Sequence, residues 1–490
     1  MTLEMAASAG ERPAVALDDR SLTAAQILGL ARRAAGRFRG SPAVLYRAPN
    51  HLAYPVALFG CALAGVPFVP LNYRLGADQL TAIEGRHPGA VRIGTEDLEA
   101  LLDDAAEPVA NGDVQAPWDQ DAVAVILYTS GTTAAPKAAL LRHRHLLAYV
   151  LNTLEFNSAS EGDAALVAVP PYHIAGLTNL LSNLYTGRRV VYLPAFDADE
   201  WLAAVRREKV THAMLVPTML ARIVDRLAAD GEAHAPTLRS LAYGGARAPR
   251  PVVERALRAF PGTDFVNAYG LTETASSIAV LGPDDHRAAL AATDSAVRDR
   301  LTSVGRPLPG VEIEVRAPSG ELCPPGVTGL VQVRGEQISG EYKGRSALDA
   351  DGWFPTGDLG RLDADGYLFV EGRADDTIIR GGENIAPAEI EDVLLGHPGV
   401  REAVVVGVPD EEWGQRIVAV LVGTGEPEEI RLWARRRLRT SKTPDTIVFR
   451  DDLPRTGTGK LLRRTLIAEI AGLEKTRAQR VHGEFPCLKP

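Results

Sequence analysis

Residues 128–137 read Tyr-Thr-Ser-Gly-Thr-Thr-Ala-Ala-Pro-Lys and follow directly on the apolar run 122–127. The apolar run has the length of a buried strand, and the segment after it is a loop rich in hydroxyl groups. Backbone N–H groups and hydroxyls can donate to phosphate oxygens, glycine allows close approach, and lysine supplies a point charge. The pattern therefore indicates a polyphosphate-binding loop. Its candidate ligands are Thr129, Ser130, Gly131, Thr132, Thr133 and Lys137.

This loop is not the usual loop of P-loop NTPases. That motif needs glycine directly before the lysine and Ser or Thr directly after it. Here Pro136 precedes Lys137 and Ala138 follows it. The residues alone therefore leave a second interpretation open, an ordinary surface turn rich in Ser, Thr and Gly.

Composition excludes several classes of protein. The 490 residues are 46% apolar and 23% charged, as in a globular protein with a full core, and the net charge of −9 argues against a nucleic-acid binder. Three dispersed cysteines, Cys61, Cys323 and Cys487, argue against a zinc site or a disulfide scaffold and fit a reducing compartment. The N-terminus lacks the pattern of a secretory signal, so we predict a cytoplasmic protein.

One segment has the length of a membrane span. Residues 54–71 carry no charge over 18 positions, but they contain Pro55, Pro67 and Pro70. A helix over 55–64 followed by a strand over 67–70 fits these prolines better. We therefore predict buried core at this position and no membrane span.

Apolar strands alternate with helical patterns through the first 270 residues, beginning with a predicted helix over 21–38. This alternation predicts layered α/β sheets with much parallel pairing, and open sheets of this kind bind ligands where strands end. Three predicted strands end in polar turns, at 170–173, 244–246 and 269–274.

The pattern changes twice in the second half of the chain. After residue 300, glycine-rich alternation predicts a β-rich subdomain, with 363–366 as a hairpin turn. From Asp375, an α+β pattern of about 115 residues has the size of an independent domain. The predicted fold class is thus α/β, with a large N-terminal domain of several subdomains, 1–374, and a small mobile C-terminal domain, 375–490.

Four further segments carry chemistry, each with a plainer alternative. Glu273 can ligate a metal bound to phosphates, although Thr272 beside it could simply cap a helix. Asp358, in a Thr-Gly-Asp segment predicted to precede a strand, can accept from both hydroxyls of a ribose or form an ordinary turn. Arg373 can reach a ribose or phosphate, or belong to a solvated charge cluster. Lys460 ends a glycine-bearing loop that can deliver a cation or lie on the surface.

The order of these segments resembles the adenylate-forming superfamily, which contains acyl- and aryl-CoA synthetases, peptide-synthetase adenylation domains and beetle luciferases. The matching segments are 128–137, 269–274 (Tyr-Gly-Leu-Thr-Glu-Thr), 356–358 (Thr-Gly-Asp), 372–384 and 455–460. The resemblance covers nearly the whole chain. It implies that a carboxylate and ATP form an acyl-adenylate and pyrophosphate, and that the acyl group then passes to a nucleophile, most often the thiol of coenzyme A.

The resemblance also implies residue roles. Lys460 would bridge the carboxylate and the α-phosphate, Glu273 would bind Mg²⁺, and Asp358 with Arg373 would hold the ribose. Thr132 in the phosphate loop and His173 at the acyl pocket would complete the catalytic set. The adenine would be framed by Gly244, Gly245, Ala246, Asn267 and Tyr269, with Gly270 and Thr272 adjoining. Rotation of the C-terminal domain about Asp375 would withdraw Lys460 and bring Gly381 and Gly382 over the tunnel for the second nucleophile.

Several departures from the family pattern leave the acceptor open. Ala134 and Ala138 stand where the phosphate loop usually has glycine, and Ser441 and Thr443 replace residues that lie near the nucleotide end of coenzyme A in relatives. Trp413 could stack on an adenine or pack in a core.

The leading hypothesis is an aryl or short- to medium-chain acyl-CoA ligase that uses ATP, Mg²⁺ and a small carboxylic acid. Alternatives are an enzyme of secondary metabolism with another acceptor, such as a carrier protein, an amine or nitrite, and a non-catalytic ATP-binding protein. The sequence is also compatible with a homodimer.

Overall fold

The computed structural model describes residues 12–103, 119–129, 137–227, 233–410, 412–456 and 461–471. Five predicted site residues lie outside the described residues: Ser130, Gly131, Thr132, Thr133 and Lys460.

The described part of the chain alternates between strands and helices. The strands are β1 (Pro13–Leu17), β2 (Arg20–Thr23), β3 (Val44–Arg47), β4 (Phe68–Pro70), β5 (Val91–Gly94), β6 (Val123–Thr129), β7 (Lys137–Arg142), β8 (Ala164–Val167), β9 (Arg189–Tyr192), β10 (His212–Leu215), β11 (Ser240–Gly244), β12 (Asp264–Leu271), β13 (Ser276–Leu281), β14 (Arg306–Pro307), β15 (Val311–Arg316), β16 (Gly329–Gly335), β17 (Glu341–Tyr342), β18 (Arg345–Ser346), β19 (Phe354–Leu362), β20 (Leu368–Arg373), β21 (Ile378–Arg380), β22 (Glu383–Ile385), β23 (Val400–Asp410), β24 (Gly414–Gly423) and β25 (Thr446–Phe449).

The α-helices are α1 (Ala24–Phe38), α2 (Ala53–Ala64), α3 (Ala77–Glu84), α4 (Leu98–Leu102), α5 (His143–Thr153), α6 (Ile174–Thr186), α7 (Ala198–Arg207), α8 (Pro217–Leu227), α9 (Arg250–Ala259), α10 (Pro283–Ala291), α11 (Ser295–Asp299), α12 (Pro387–Leu395) and α13 (Pro427–Arg435). Residues 463–471 are also helical.

Two large sheets form the first part of the fold. A nine-stranded sheet has the order β14-β13-β12-β11-β10-β8-β9-β1-β2, and its central strands pair in parallel from β9 to β12. A seven-stranded sheet has the order β18-β17-β7-β6-β4-β3-β5. One buried apolar cluster contains residues of both sheets together with α1, α2 and α6. The predicted layered α/β architecture is confirmed.

The uncharged segment 54–71 forms α2 and β4, and its largest side chains are buried in this cluster. Helix α2 ends at Gly65, whose φ of 68° lies in the left-handed region that glycine adopts without strain. No helix among the described residues has the length and apolar character needed to cross a membrane. The prediction of buried core is confirmed.

Two predicted boundaries were wrong. Residues 21–23 extend strand β2, which pairs with β1, and the helix begins only at Ala24, where Thr23 and Gln26 form a capping box. The segment 356–358 does not precede a strand but lies within β19, because this strand pairs on both sides, with β16 and β20. The hairpin turn at 363–366 is as predicted, since it joins β19 to β20.

The β-rich part that follows residue 300 is a four-stranded sheet of order β15-β16-β19-β20. Beyond it, strands β23, β24 and β25 form a separate sheet with α12 and α13. The two apolar clusters of this last region contain only residues from 378 onward. The exact division at 374/375 and the hinge at Asp375 stay predictions.

Candidate active site

A buried aspartate joins two strands that the sequence separates widely. Asp358 of β19 is 5% exposed, and the hydroxyl of Tyr269, at the far end of β12, donates to its Oδ2 at 2.5 Å. Arg373 of β20 donates from Nη1 to Oδ1 of Asp358 at 3.1 Å and to the carbonyl of Thr356 at 2.9 Å. Three of the predicted nucleotide-binding residues therefore meet at one place.

The electrostatics of this group fix its protonation states. Burial, reinforced by the charge of Asp358, raises the pKa of Tyr269 well above its ordinary value, so the phenol stays a donor. Burial lowers the pKa of Arg373, but the carboxylates of Asp358 and Asp375 outweigh it and leave the pKa raised. The raised pKa of Tyr269 and of Arg373 keeps both groups as donors toward Asp358.

A second group lies beside the phosphate loop. The hydroxyl of Tyr342 donates to Oε1 of Glu273 at 2.7 Å, and Nζ of Lys137 lies 5.8 Å from the centre of the Tyr342 ring. Lys137 is held at the start of β7, whose partner strand β6 ends at Thr129, and the hydroxyl of Thr129 donates to the Lys137 carbonyl at 3.4 Å. Lysine and glutamate from distant segments thus flank one tyrosine.

Tyr342 is a site residue that sequence reasoning missed. Strand β17 has only two residues, and it joins the seven-stranded sheet by pairing Tyr342 with Ala139 of β7. Burial, together with the charge of Glu273, raises the pKa of the Tyr342 phenol above its ordinary value. No motif marks this tyrosine, and only its pairing with the strand after the phosphate loop could have indicated it.

The backbone is strained immediately after Glu273. Ala275 and Ser276 have φ values of 51° and 114°, which side chains other than glycine rarely adopt. Thr274 stabilises the turn, because its hydroxyl accepts from the N–H of Leu271 at 2.9 Å. The predicted alternative role of Thr272 as a cap is therefore filled by Thr274. Such strain concentrates at functional sites, where the surrounding structure holds it in place.

His173 lies between the carboxyl end of β8, a central strand of the nine-stranded sheet, and the start of α6. It caps α6, because its Nδ1 accepts the N–H of Ala175 at 3.2 Å. A Cβ placed on Gly245 would lie 4.0 Å from its Cε1 and 3.7 Å from Val216. Gly245 has a φ of 82°, and Gly244 lies opposite Ala268, so the loop 244–246 and His173 adjoin.

Not every predicted adenine residue presents its side chain to this edge. Asn267 is 9% exposed, and its amide donates to the carbonyl of Ser303 at 3.0 Å. Gly270 is packed tightly, since a Cβ there would come 1.9 Å from the carbonyl oxygen of Ser276. The roles of Asn267, Gly270, Ala246 and Thr272 toward a nucleotide stay predictions.

The C-terminal region contacts this edge through one arginine. Arg247, next to the loop 244–246, forms an ion pair with Asp392 of α12 and donates to the carbonyl of Ala388 at 3.2 Å. Gly381 and Gly382 form the turn between β21 and β22 and have φ values of 55° and 83°.

Trp413 lies against Gly381 but is 46% exposed, so the alternative of core packing was wrong for Trp413. Arg380 stacks over its ring, with the guanidinium carbon 5.3 Å from the ring centre.

The described residues contain no cluster of three metal-ligating side chains. Cys61 and Cys323 are free thiols. Mg²⁺ bound to a nucleotide commonly uses one or two carboxylates and phosphate oxygens, and it keeps several waters. Glu273, oriented by Tyr342 and near Lys137, fits such a single carboxylate.

Comparison with known proteins agrees with this geometry. Residues 3–343 match the AMP-binding enzyme family, and residues 389–460 match the AMP-binding enzyme C-terminal domain. A feruloyl-CoA synthase from Amycolatopsis sp is 38% identical over 453 residues, covering 88% of this chain and 89% of that protein. A fatty acid–[acyl-carrier-protein] ligase, ScoC, from Streptomyces coeruleorubidus is 34% identical, covering 93% and 92%.

Among solved structures, o-succinylbenzoate CoA synthetase from Bacillus subtilis with its acyl-adenylate intermediate has a TM-score of 0.81 and 31% identity, covering 95% of this chain and 97% of that one. The same enzyme has been solved with ATP and magnesium ion. Both the overall sequence match and the shared fold extend through the C-terminal region. The chain belongs to the AMP-binding enzyme family of the adenylate-forming superfamily, and it is an AMP-forming acid–thiol ligase of the acyl-CoA synthetase type.

Proposed function

We propose that this enzyme activates an aromatic or short- to medium-chain carboxylic acid with ATP and Mg²⁺ and transfers the acyl group to coenzyme A. In the first step a carboxylate oxygen attacks the α-phosphorus, and pyrophosphate leaves. In the second step the thiol attacks the acyl carbon, and AMP leaves. The observation that carries the proposal is the meeting of Tyr269, Asp358 and Arg373, together with the hydrogen bond between Tyr342 and Glu273, four residues beyond Tyr269.

Asp358 is suited to bind the ribose. Its carboxylate accepts from Tyr269 and Arg373, which fix its orientation, and a carboxylate is the acceptor that a pair of vicinal ribose hydroxyls can donate to. The buried position strengthens such hydrogen bonds, because nearby water does not compete with the hydroxyls. Arg373 pairs its positive charge with this carboxylate.

The phosphate side depends on cations. Attack of a carboxylate on phosphorus gathers negative charge on oxygens that are already anionic, so positioned cations give most of the acceleration. Lys137 would hold the β- and γ-phosphates with the hydroxyls of the loop, and Lys460 would bridge the carboxylate and the α-phosphate. Mg²⁺, held by Glu273, would neutralise phosphate charge.

His173 and the loop 244–246 form one wall where the nucleotide side meets the nine-stranded sheet. The imidazole, whose Nδ1 accepts the helix-cap hydrogen bond, would line the pocket of the acid. The turn at Gly381 and Gly382 would cover the thiol channel once the C-terminal domain has rotated, which requires breaking the contact between Arg247 and Asp392.

A carrier-protein thiol is the second candidate acceptor. The similarity to an acyl-carrier-protein ligase favours it, as do Ser441 and Thr443 at positions where many CoA ligases differ. Both residues lie beside Lys442, whose Nζ forms an ion pair with Glu389 at 2.6 Å.

One experiment tests the function and separates the two acceptors. A panel of carboxylic acids is incubated with ATP and Mg²⁺, and pyrophosphate and AMP are measured with coenzyme A, with a phosphopantetheinylated carrier protein, and with neither. We expect acid-dependent pyrophosphate release, with AMP turnover that requires coenzyme A. Multiple turnover of AMP without coenzyme A would contradict transfer to coenzyme A. If no acid in the panel caused pyrophosphate release, acid activation would be contradicted.

A further inference from the structure

One face of the nine-stranded sheet is only partly buried over β10, β11 and β12. Side chains alternate between the two faces of a strand, and on β10 the residues Ala213 and Leu215 are buried while His212 and Met214 are only partly buried. The same alternation holds on β11, where Leu241 is buried and Ala242 is partly exposed. The three strands are in register, because Met214 lies opposite Ala242, and Ala242 lies opposite Val266. We call the space over Met214, Ala242 and Val266 the acid groove.

Helix α6 forms the wall of the acid groove, and the groove runs away from the nucleotide side. Nδ2 of Asn179, in the middle of α6, lies 3.9 Å from Sδ of Met214 on the groove floor. His173 begins the same helix at the nucleotide edge. Gly244 follows Ala242 by two residues on β11, which is about 7 Å along a strand. An aromatic acid with its carboxylate near His173 would therefore extend its ring toward Asn179.

A chain of hydrogen bonds fixes how Asn179 is oriented. Nη1 of Arg188 donates to Oδ1 of Asn183 at 2.7 Å. Nδ2 of Asn183 donates to Oδ1 of Asn179 at 2.7 Å and to its backbone carbonyl at 2.8 Å. Arginine can only donate, so it forces Asn183 to accept on the Arg188 side and to donate on the Asn179 side. Asn179 must then present its oxygen to Asn183 and its NH₂ group to the groove.

Burying Arg188 and Asn183 costs free energy unless their polar groups are hydrogen-bonded, so their hydrogen-bond directions are fixed. Asn183 is 5% exposed. Burial lowers the pKa of Arg188, only partly offset by Asp163, and Nε of Arg188 is buried with no hydrogen-bond partner in the described part of the chain. A guanidinium in such a place holds its acceptor firmly, since losing it would leave a charged donor without a partner.

The NH₂ group of Asn179 lacks a strong acceptor. Among the described residues, its recorded partner is the thioether of Met214, and sulfur at this distance is a weak acceptor. The remaining floor, Ala242 and Val266, offers only apolar side chains. A ligand oxygen placed over Met214 would supply the missing acceptor.

We propose that Asn179, oriented by Asn183 and Arg188, selects carboxylic acids that carry an oxygen acceptor on the ring, such as a phenolic hydroxyl or a methoxy group. This inference rests on the proposed function and names the substrate class of that site. An acid with plain hydrocarbon at this position would cover the NH₂ group without offering it an acceptor. Sites that hydrogen-bond a substrate group reject analogues that lack it far more strongly than apolar pockets reject a missing methylene.

The wild-type enzyme gives the first test. Benzoates and cinnamates bearing a ring methoxy or hydroxyl group are compared with the matched ethyl- or methyl-substituted acids, by pyrophosphate release. We expect kcat/KM to be at least about 10-fold higher for the oxygen-bearing acid of one ring position. Equal kcat/KM values for every methoxy and ethyl pair would overturn the inference, while activity itself would still support acid activation. No pyrophosphate release with any acid would instead contradict the proposed function.

Substitutions give the second test and separate selection from folding. Asn179→Leu is expected to bring the methoxy-to-ethyl ratio of kcat/KM toward one. Asn179→Asp replaces the donor by an oxygen, so it should lose the methoxy acid, which only accepts, and keep the hydroxy acid, which can donate. Unchanged methoxy-to-ethyl ratios in both variants would contradict the role of Asn179.

Arg188 is tested as a positioning residue. In Arg188→Met the side-chain amides of Asn179 and Asn183 can both flip. The methoxy-to-ethyl ratio of kcat/KM should therefore fall toward one while KM for ATP is unchanged. Arg188→Lys keeps a donor and should restore most of the ratio. A purely structural arginine would lower the activity toward both acids equally and leave their ratio at the wild-type value, which would overturn the relay.

Discussion

The nucleotide side and the acid groove of this enzyme differ in how their polar groups are paired. On the nucleotide side, Asp358 is bound by Tyr269 and Arg373, and Glu273 is bound by Tyr342. In the acid groove, a chain of amides ends in an NH₂ group whose recorded partner among the described residues is a thioether. The first region is arranged before a ligand arrives, whereas the second has one hydrogen bond to complete.

This difference indicates that the two regions have different tasks, ATP binding on the nucleotide side and selection of the acid in the groove. ATP is common to all enzymes of this chemistry, so a preorganised site that costs no rearrangement at the moment of reaction serves it best. Discrimination between acids needs an interaction that is satisfied by one substrate and left unsatisfied by another. The predictions below test each side of this comparison.

Loss of Lys460 should have the largest effect. Lys460→Ala removes the cation that we assign to the α-phosphate, and acid-dependent pyrophosphate release should fall on the order of 10²-fold or more. Stopped assays with saturating ATP and acid measure this rate. Lys442→Ala, which removes a partly buried lysine of the same region paired with Glu389, is the matched control and should retain nearly the full rate. Similar losses in both variants would contradict the assignment of Lys460.

Asp358 tests the preorganised side. Asp358→Asn keeps the shape but removes the charge and part of the accepting capacity, so KM for ATP should rise about 10- to 100-fold. Initial rates at varied ATP give this value. Asp365→Asn, at the exposed turn between β19 and β20, serves as the control. An unchanged KM for ATP in Asp358→Asn would show that the ribose is held elsewhere.

Gly244 tests the close packing of the edge that both regions share. A Cβ at Gly244 would lie 2.1 Å from the carbonyl oxygen of Ala268, so Gly244→Ala must displace a neighbouring strand. We expect the free energy of unfolding to fall by about 3 kcal/mol. Gly262→Ala, where the added methyl group meets nothing within 4 Å, should change it little. Urea unfolding of the two variants measures the difference, and equal stabilities would contradict the packing argument.

The smallest expected effect is on the pH dependence of stability, and it comes from His145, which lies outside both regions. Burial, with the nearby charge of Arg144, lowers the pKa of His145 to about 4, so the folded protein keeps this ring neutral. The unfolded chain binds a proton near pH 6.5, so stability falls as pH drops from about 6.5 to about 4. His145→Gln should reduce this loss by on the order of 1–2 kcal/mol in urea unfolding at several pH values. An identical pH dependence in both proteins would contradict the lowered pKa.

The sequence predicted the nucleotide side far better than the groove. Lys137, Glu273, Asp358 and Arg373 lie in segments whose order is specific. The register of the antiparallel strands β19 and β20 then places Arg373 opposite Asp358. Tyr342 escaped notice because a two-residue strand has no periodicity.

The groove could not be predicted. Asn179, Asn183 and Arg188 have no motif, and their amide orientation follows from contacts that only the packed helix and sheet create. The wrong boundaries at 21–23 and 356–358 have a similar origin, since strand pairing decided them rather than local propensity.

The central claim is that this enzyme forms an acyl-adenylate reversibly at the site made by the phosphate loop, Glu273, Asp358 and Lys460. Exchange of labelled pyrophosphate into ATP measures that step without any acceptor. We predict exchange that depends on an added carboxylic acid and on Mg²⁺ and that proceeds in the absence of coenzyme A. Acid-independent exchange, or no exchange with any acid that supports AMP release, would contradict the account.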